Sequence, residues 1–215
     1  MTNGRSWTAI GSAMLALAAI STGARAQGAA PAAPESESSV TVYAGYRFGG
    51  SLTDITSGQT WELTDGPSFA AAADFGIDSR TQWELFLSYR NTALKASGFS
   101  PAANNLGLGV TYAHVGGTYF IDRVGRGTYV VGGLGLTFLD PHASGLNSET
   151  KFSLNLGVGY MIPLGERIGV KLEARGYATL VNSSSALFCS GGCVVQIKGT
   201  TVTQGELLAG ITVRF

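Results

Sequence analysis

Eight charged residues stand at alternate positions in apolar-rich segments of the chain, a spacing that would direct them to one face of β-strands. The set is balanced, with bases at Arg47, Arg90, Lys171 and Arg175 and acids at Asp74, Glu84, Glu173 and Glu206. Charges on an enclosed face are stable only when they are paired and hydrogen-bonded. The spacing therefore predicts either a structural network of ion pairs or a narrow ion path. The equal numbers of bases and acids argue against strong ion selectivity.

The 2 cysteines, Cys189 and Cys193, occur in the sequence Cys-Ser-Gly-Gly-Cys. Cysteines in an exported protein meet an oxidising compartment, and two of them in a flexible glycine turn can reach bonding distance. We therefore predict a disulfide that shapes the tip of a loop. The surrounding segment, residues 181–200, contains no His, Asp or Glu, so no metal and no other cofactor are expected there.

Apolar and polar residues alternate in eight segments, and this period of two predicts the β-strands that position the charges. The predicted strands are residues 41–49, 68–78, 82–90, 105–121, 128–138, 151–162, 168–180 and 201–215. Each is long enough for a tilted membrane-spanning strand of about 9–11 residues. Tight turns at 78–80, 122–127 and 163–167 alternate with long polar loops at 51–67, 92–104, 139–150 and 181–200. This layout predicts an all-β fold, an eight-stranded antiparallel transmembrane up-and-down β-barrel.

Aromatic residues on the apolar faces of the predicted strands fall into two bands, as membrane interfaces select. One band lies near the tight turns and the other near the long loops: Phe75, Trp83, Phe120, Tyr160 and Phe215, then Phe48, Phe69, Tyr89, Phe138 and Phe152. In the fourth predicted strand the lipid-facing set is Leu106, Leu108, Val110, Tyr112, Gly116, Thr118 and Phe120.

The opposite faces carry the eight charges and should fill the barrel interior, which is just wide enough for side chains in an eight-stranded barrel. Glycines on these faces would leave room for the long charged side chains: Gly107, Gly109, Gly133, Gly135, Gly157 and Gly159.

The N-terminal segment, residues 1–26, has the pattern of a secretory signal peptide. Arg5 supplies the positive charge, residues 9–20 form a short apolar run, and Ala24-Arg-Ala26 is a cleavage site. Residues 27–39 lack periodicity and are predicted to be a flexible periplasmic leader. Residues 40–215 then form one barrel domain. Only 13% of the residues are charged and the net charge is zero, so nucleic acid is not an expected partner.

The segment 205–215 alternates up to Phe215 in the pattern Gly-x-x-x-Ala-Gly-Ile-Thr-Val-Arg-Phe. This ending and the predicted architecture resemble the small eight-stranded outer-membrane proteins: the OmpA barrel, OmpX and the opacity-type barrels of the "porin family". The resemblance covers residues 40–215. It implies a bacterial outer-membrane location with both mature termini periplasmic, and Phe215 as an insertion signal for the barrel-assembly machinery. Outer-membrane lipid and lipopolysaccharide would surround the barrel.

Members of this group serve as envelope scaffolds, adhesins or serum-resistance factors. The resemblance therefore implies a non-enzymatic scaffold or surface-interaction protein that binds an external protein or surface ligand through four long loops. A narrow passive pore for ions or small solutes is the alternative. No peptidoglycan-binding domain follows the last predicted strand, so a tether to the cell wall is not expected.

Some small barrels are enzymes, which makes the 2 histidines worth weighing. Outer-membrane lipid A deacylases use a His and a Ser at membrane level. His114 falls on the predicted lipid-facing positions, and Gly116 stands where a partner Ser is expected, although a bulge at Gly116 and Gly117 would turn His114 inward. His142 lies in a long loop, so no catalytic site is expected. A soluble lipocalin-like barrel is the alternative fold, and the aromatic bands and loop lengths favour the membrane version.

Overall fold

The computed structural model describes residues 37–53, 60–96, 105–142, 146–181, 186–189, 193–196 and 201–215. All of them belong to one compact unit, Pro34–Phe215. Within these ranges no helix has the length and apolar character needed to cross a membrane. The predicted signal peptide and most of the predicted leader lie outside the described residues, so both stay predictions.

The described residues form a set of antiparallel strands. In chain order these are β1 (Ser39–Phe48), β2 (Ser51–Thr53), β3 (Thr60–Leu63), β4 (Gly66–Gly76), β5 (Thr81–Ala96), β6 (Asn105–Phe120), β7 (Gly127–Pro141), β8 (Glu149–Pro163), β9 (Ile168–Leu180), β10 (Ala186–Cys189), β11 (Cys193–Gln196) and β12 (Thr201–Arg214). Eight of them close a barrel in the order β1, β4, β5, β6, β7, β8, β9 and β12, with β12 paired back to β1. The predicted fold class is therefore confirmed.

Two of the predicted long loops contain a hairpin, and β5 and β7 extend into the other two, as far as Ala96 and Pro141. The hairpin β2–β3 continues the wall above β5, where Trp61 pairs with Ala96, and β10–β11 forms a separate two-stranded sheet. Gly49 and Gly50 join β1 to β2 with φ of 79° and 101°. Glycine adopts this left-handed conformation without steric cost, so the chain can turn here and pair again. We call this end of the barrel the long-connection end and the opposite end the short-turn end.

The short turn between β4 and β5 is held by Asp78. The backbone amides of Arg80 and Thr81 donate to its Oδ1 at 2.7 and 2.9 Å. These bonds, led by that of Arg80, favour the ionised carboxylate and lower the pKa of Asp78. A tight turn was predicted at residues 78–80, and the bonds observed are those that Asp commonly makes to backbone amides two or three residues on.

The alternation of exposed and buried residues agrees with the predicted faces in every barrel strand except β6. In β8, for example, Phe152, Leu156 and Tyr160 are exposed, whereas Ser153 and Asn155 are buried. Such a strand presents one face to lipid and the other to the lumen.

The prediction for β6 was wrong, because the whole strand presents the opposite face. Leu108, Val110, Tyr112, Thr118 and Phe120 are buried in the lumen. The exposed positions of this strand are instead those of Val115 and Tyr119, so Tyr119 replaces Phe120 in the aromatic band.

The physical reason for this inversion is volume. Neither face of β6 carries a charged residue to mark the lumen side, and the neighbouring strand β7 brings Gly133 and Gly135 to the lumen side. The His114 side chain of β6 uses the space at Gly135, where a Cβ would lie 2.8 Å from its Cδ2, and a Cβ at Gly133 would lie 3.3 Å from Asn155 Nδ2. Gly116 is required by the same close approach, because a Cβ there would lie 2.0 Å from the carbonyl oxygen of Gly132.

The inversion also moves two glycines that were expected inside the lumen. Gly107 and Gly109 lie on the outward positions of β6, where a Cβ on Gly109 would lie 3.6 Å from the Cβ of the exposed Asp140. These two glycines therefore make no room for charged side chains. Gly133, Gly135, Gly157 and Gly159 do stand at lumen positions.

Candidate functional site in the barrel lumen

Arg175 on β9 is the centre of the lumen. Its Nη1 and Nη2 donate to the two carboxylate oxygens of Glu84 at 2.9 and 3.1 Å, and its Nε donates to Glu173 at 2.6 Å. Its guanidinium carbon lies 3.7 Å from the centroid of the Phe86 ring. A bidentate guanidinium–carboxylate pair is strong and directional. Because β5 and β9 stand on opposite sides of the barrel, this pair spans the lumen.

A second ion pair lies nearer the long-connection end. The Nε of Arg47 donates to Glu206 at 3.1 Å, across the pairing of β1 with β12. Ser88 and Tyr177 also donate to the Glu206 carboxylate, and the Arg47 guanidinium lies 4.6 Å from the centroid of the Tyr112 ring. Both charged side chains are therefore fully supplied with partners.

A third ion pair lies nearer the short-turn end. The Nζ of Lys171 donates to Asp74 at 2.6 Å, and the hydroxyl of Ser39 donates to the same carboxylate oxygen at 3.0 Å. The ammonium group lies 5.6 Å from the centroid of the Tyr129 ring, whose hydroxyl donates to Glu173 at 2.9 Å. This ring therefore connects the third pair to the cluster around Arg175.

Arg90 differs from the other lumen cations. It is 2% exposed, and within the part of the chain that the structure describes it forms no ion pair. Its guanidinium donates to the carbonyl oxygen of Arg47 at 2.8 Å and to the hydroxyl of Thr92 at 3.0 Å. The imbalance arises because Arg175 takes two carboxylates. All eight charges thus lie inside the barrel, and their functional role stays a prediction.

An aromatic stack that sequence reasoning missed lies against the Arg47 guanidinium. The rings of Tyr112 and Tyr177 are parallel, with centroids 4.1 Å apart, and the His114 ring lies 5.6 and 5.9 Å from them. The signal for this stack was present in the large residues at alternate positions of β6. It was hidden because these residues were assigned to the lipid face.

His114 corrects a second expectation, since it is buried in the lumen and not exposed to lipid. No bulge at Gly116 and Gly117 turns it, because β6 pairs in continuous register with both neighbouring strands. Its Nε2 lies 2.9 Å from the hydroxyl of Ser153 on β8. The Nδ1 has no partner within the described residues, and Ser153 is fully buried. This arrangement differs from the hydrogen-bonded series of acid, His and Ser in a hydrolytic triad.

An apolar cluster from β6, β7 and β8 fills one side of the lumen near the short-turn end. Phe120, Tyr129, Val131 and Met161 are each at most 1% exposed. The Tyr129 ring lies over Gly159, where a Cβ would come within 2.2 Å of its Cζ. A ring that covers a glycine in this way fills space that would otherwise be empty.

An apolar cleft lies at the long-connection end of the lumen, and its enclosed part measures only about 30 Å³. The residues that line it come from five strands and the segment just after β9: Leu63, Leu108, Val110, Tyr112, Thr137, Leu139, Thr179, Val181, Val202 and Gln204. Most of them are apolar, and we call this site the mouth cleft.

The remaining predicted residues are only partly described. Cys189 and Cys193 stand opposite each other in the register of the β10–β11 hairpin, but their side chains lie outside the described residues, so the disulfide stays a prediction. His142 is exposed. Phe215 follows β12 and is exposed, and its role as an insertion signal stays a prediction. Within the described ranges, no group of three or more His, Cys, Asp or Glu could hold a metal ion.

Comparison with known proteins agrees with the fold. The family model described as outer membrane protein beta-barrel domain matches residues 12–215. Neisserial surface protein A is similar in structure, with a TM-score of 0.52, 15% identity, and coverage of 83% of this chain and 97% of that one. The outer membrane protein AlkL is similar with a TM-score of 0.59, 16% identity, and coverage of 91% and 97%. No curated protein sequence matches the chain.

Proposed function

The chain belongs to the outer-membrane β-barrel family, and from this premise we propose that it is a non-enzymatic, non-conducting scaffold for surface interaction. The barrel holds the long connections at the cell surface, where they meet an external protein or surface ligand. The outward apolar face contacts outer-membrane lipid and lipopolysaccharide after the barrel-assembly machinery has inserted the chain. Both mature termini and the short turns then face the periplasm.

The observation that carries this proposal is the filled lumen. An ion crossing the barrel would need a continuous column of water, but the Arg175–Glu84 pair spans the lumen at its centre. The apolar cluster around Phe120 and Met161 fills one side of the lumen near the short-turn end. A path through either layer would require breaking buried ion pairs or displacing packed side chains, both of which are costly.

A narrow passive pore is the second candidate, and one observation favours it. Several buried polar atoms have no partner among the residues that the structure describes: Tyr43 OH, Asp74 Oδ1, Gln82 Oε1, Thr118 Oγ1 and Asn155 Nδ2. Buried polar groups without a partner usually bind ordered water. A chain of such waters along the lumen would be the beginning of a conducting path.

Conductance in a planar bilayer separates the two candidates, once a heat-modifiable gel shift has established that the protein is folded. The scaffold proposal predicts a silent bilayer from the natural sequence. Steady discrete currents that disappear when Arg47 or Glu84 is replaced would instead support the pore. The positive control is the double variant Tyr129→Ala, Arg175→Ala. It shortens one side chain in the apolar cluster and one in the central ion pair, and its conductance should be higher.

The proposed orientation can be tested by labelling intact cells with a membrane-impermeant maleimide. Cys189 and Cys193 are first replaced by Ser, and single cysteines are then introduced as Glu62→Cys on β3 and Ser79→Cys in the β4–β5 turn. Both positions are exposed, so they differ only in the end of the barrel at which they lie. Labelling of the Glu62→Cys variant in intact cells, and of the Ser79→Cys variant only after permeabilisation, is expected. The reverse pattern would show the opposite orientation.

A further inference from the structure

The turn between β6 and β7 holds two arginines opposite each other. Arg123 and Arg126 form an isolated antiparallel bridge, and the Arg126 amide donates to the Arg123 carbonyl oxygen at 3.4 Å. Between them, Gly125 has a φ of 87°, a left-handed conformation that costs glycine little, and Val124 packs against the apolar cluster of the lumen. The backbone therefore fixes the positions of both arginines, which we call the turn arginines.

The turn arginines repel each other, because like charges at directly opposite positions of an antiparallel pair are destabilising. Both are exposed, and neither forms an ion pair within the part of the chain that the structure describes. The neighbouring acids do not pair with them. Asp78 accepts the amides of its own turn, and Asp122 forms no ion pair among the described residues. An anion from outside the chain would relieve the repulsion.

The β6–β7 turn is bonded to the neighbouring β4–β5 turn. The amides of Phe120 and Val124 donate to the carbonyl oxygens of Arg80 and Ser79, each at 2.8 Å. The Nε of Arg80 donates to the carbonyl oxygen of Asp122 at 3.0 Å. The two turns therefore support each other through their backbones, and Arg80 adds a third positive charge next to the turn arginines.

The position of the turn relative to the membrane follows from the outward residues of β6. Tyr119 and Ile121 are 46% and 57% exposed, and they end the lipid-facing side of this strand. Tyrosine is typical of the membrane interface. Arg123 comes two residues after Ile121, so their Cα atoms are at most about 7 Å apart. The head-group region is about 5–7 Å thick on each side of the hydrocarbon. The turn arginines therefore lie at the level of the lipid phosphates.

The choice of base differs between the two ends of the barrel. Among the described residues, every base in the short turns and at the end of β12 is an arginine: Arg80, Arg123, Arg126, Arg167 and Arg214. At the long-connection end the bases outside the deep lumen are Lys95 and Lys151. A guanidinium group holds a phosphate by two parallel hydrogen bonds, whereas an ammonium group acts as a point charge. The short-turn end therefore has the base that suits phosphate recognition.

From the opposed charges, the bonded turns and the position at head-group level, we propose that the turn arginines bind the phosphate of an anionic phospholipid. Their guanidinium groups hold the phosphate oxygens, while Ile121 contacts the adjoining part of an acyl chain. Phosphatidylethanolamine would bring an ammonium group next to three arginines, so phosphatidylglycerol is the preferred lipid. In the orientation proposed above this lipid belongs to the periplasmic leaflet, and only this assignment to a leaflet rests on the proposed function.

Trp83 can report which lipids surround this site. It is 59% exposed on the lipid-facing side of β5 and pairs in register with Gly117 of β6. Trp7 and Trp61 are replaced by Phe. The protein is reconstituted in nanodiscs with equal amounts of phosphatidylglycerol and phosphatidylethanolamine, and one lipid at a time carries bromine, which quenches tryptophan on contact. Stronger quenching by brominated phosphatidylglycerol is expected. Both leaflets have the same composition, so the result does not depend on the orientation of the barrel.

A matched pair of double variants tests the assignment to the turn. Arg123→Gln with Arg126→Gln removes both guanidinium groups, whereas Lys95→Gln with Lys151→Gln removes two charges at the other end. We expect the preference for phosphatidylglycerol to fall about fivefold for each arginine removed, and to stay unchanged in the lysine variant. Replacing both arginines by Lys should retain part of the preference, because the charge remains and the paired hydrogen bonds are lost. Arg126→Gln alone repeats the test should the double variant fail to show the gel shift of a folded barrel.

Three results would overturn lipid binding by the turn arginines: equal quenching by the two lipids, an unchanged preference in the Gln variant, or an equal loss in the lysine variant. Two further measurements exclude other anions. Inorganic phosphate, added at constant ionic strength, should leave the preference unchanged, and its loss would assign the site to a soluble anion. Sedimentation with peptidoglycan should be the same for the natural protein and the Gln variant. A loss of sedimentation in the Gln variant, with its lipid preference intact, would make the cell wall the partner.

Discussion

The two ends of the lumen use apolar side chains in opposite ways. At the short-turn end, Tyr129 lies over Gly159 and packs with Phe120 and Met161, and all three large side chains are at most 1% exposed. At the long-connection end, Leu and Val side chains surround a cleft. The difference lies in what stands opposite the large residues. At the short-turn end a glycine leaves room for an aromatic ring. At the long-connection end Thr137 and Thr179 instead share a hydrogen bond. Apolar composition alone therefore does not distinguish a packed cluster from an open cleft.

The charged layer between the two ends should give the largest effect. Arg175→Met leaves Glu84 and Glu173 buried without their cation, and we expect a loss of about 3–5 kcal/mol in the free energy of unfolding. Urea unfolding of the reconstituted barrel measures it. Arg80→Met, in the exposed β4–β5 turn, is the control and should stay within about 0.5 kcal/mol of the natural protein. Similar losses in both variants would mean that the central ion pairs stabilise the barrel no more than an exposed arginine does.

A matched pair of valines tests the two ends directly. Val131 at the short-turn end and Val110 at the cleft are both buried, with 1% and 2% exposure. Val131→Ala should cost about 2–3 kcal/mol, because it opens a cavity in a packed cluster. Val110→Ala should cost roughly half as much, since its neighbours already border an open space. Equal costs in the same urea experiment would remove the distinction between packed cluster and cleft.

Overpacking tests the packed cluster from the opposite direction. Gly159→Ala would place a Cβ 2.2 Å from Tyr129 Cζ, and we expect the displaced ring to cost about 1–3 kcal/mol. Gly176→Ala is the control, because the nearest atom to its Cβ is 3.7 Å away. If both variants unfold at the same urea concentration, packing of the Tyr129 ring does not depend on a glycine at position 159.

The smallest effect is expected in the short turn between β4 and β5. Asp78→Ala removes two backbone hydrogen bonds at an exposed site, so the unfolding midpoint should fall only slightly. Because folding lowers the pKa of Asp78, its contribution is fully present above the unfolded value of about 3.9 and is lost as the pH falls through the folded value. The midpoints of the two proteins should therefore differ at neutral pH and converge below about pH 4. A difference that persists at low pH would contradict this role of the carboxylate.

Sequence patterns sufficed for the barrel because each strand with one charged face carries its own orientation. Glu84 and Arg175, for example, could face only an interior that paired them. β6 carries no charge on either face, so its orientation depended on the glycines of β7, which are neighbours in space and not in the pattern. The mouth cleft was beyond prediction for the same reason. It is formed by the ends of several strands. The alternation within one strand does not indicate which strand ends lie close together.

The pairing of β1 with β12 also has a consequence for how the barrel forms. Every other pair joins barrel strands that are neighbours in chain order, apart from the intervening hairpins β2–β3 and β10–β11, whereas this seam joins the first barrel strand to the last. Closing it therefore has the largest loop-entropy cost. A slip by one residue would turn Glu206 towards lipid and bury Leu207. Only the native register brings Glu206 into contact with Arg47 and with the hydroxyls of Ser88 on β5 and Tyr177 on β9. We expect the buried ion pair to favour the native register over a shifted one when the barrel closes.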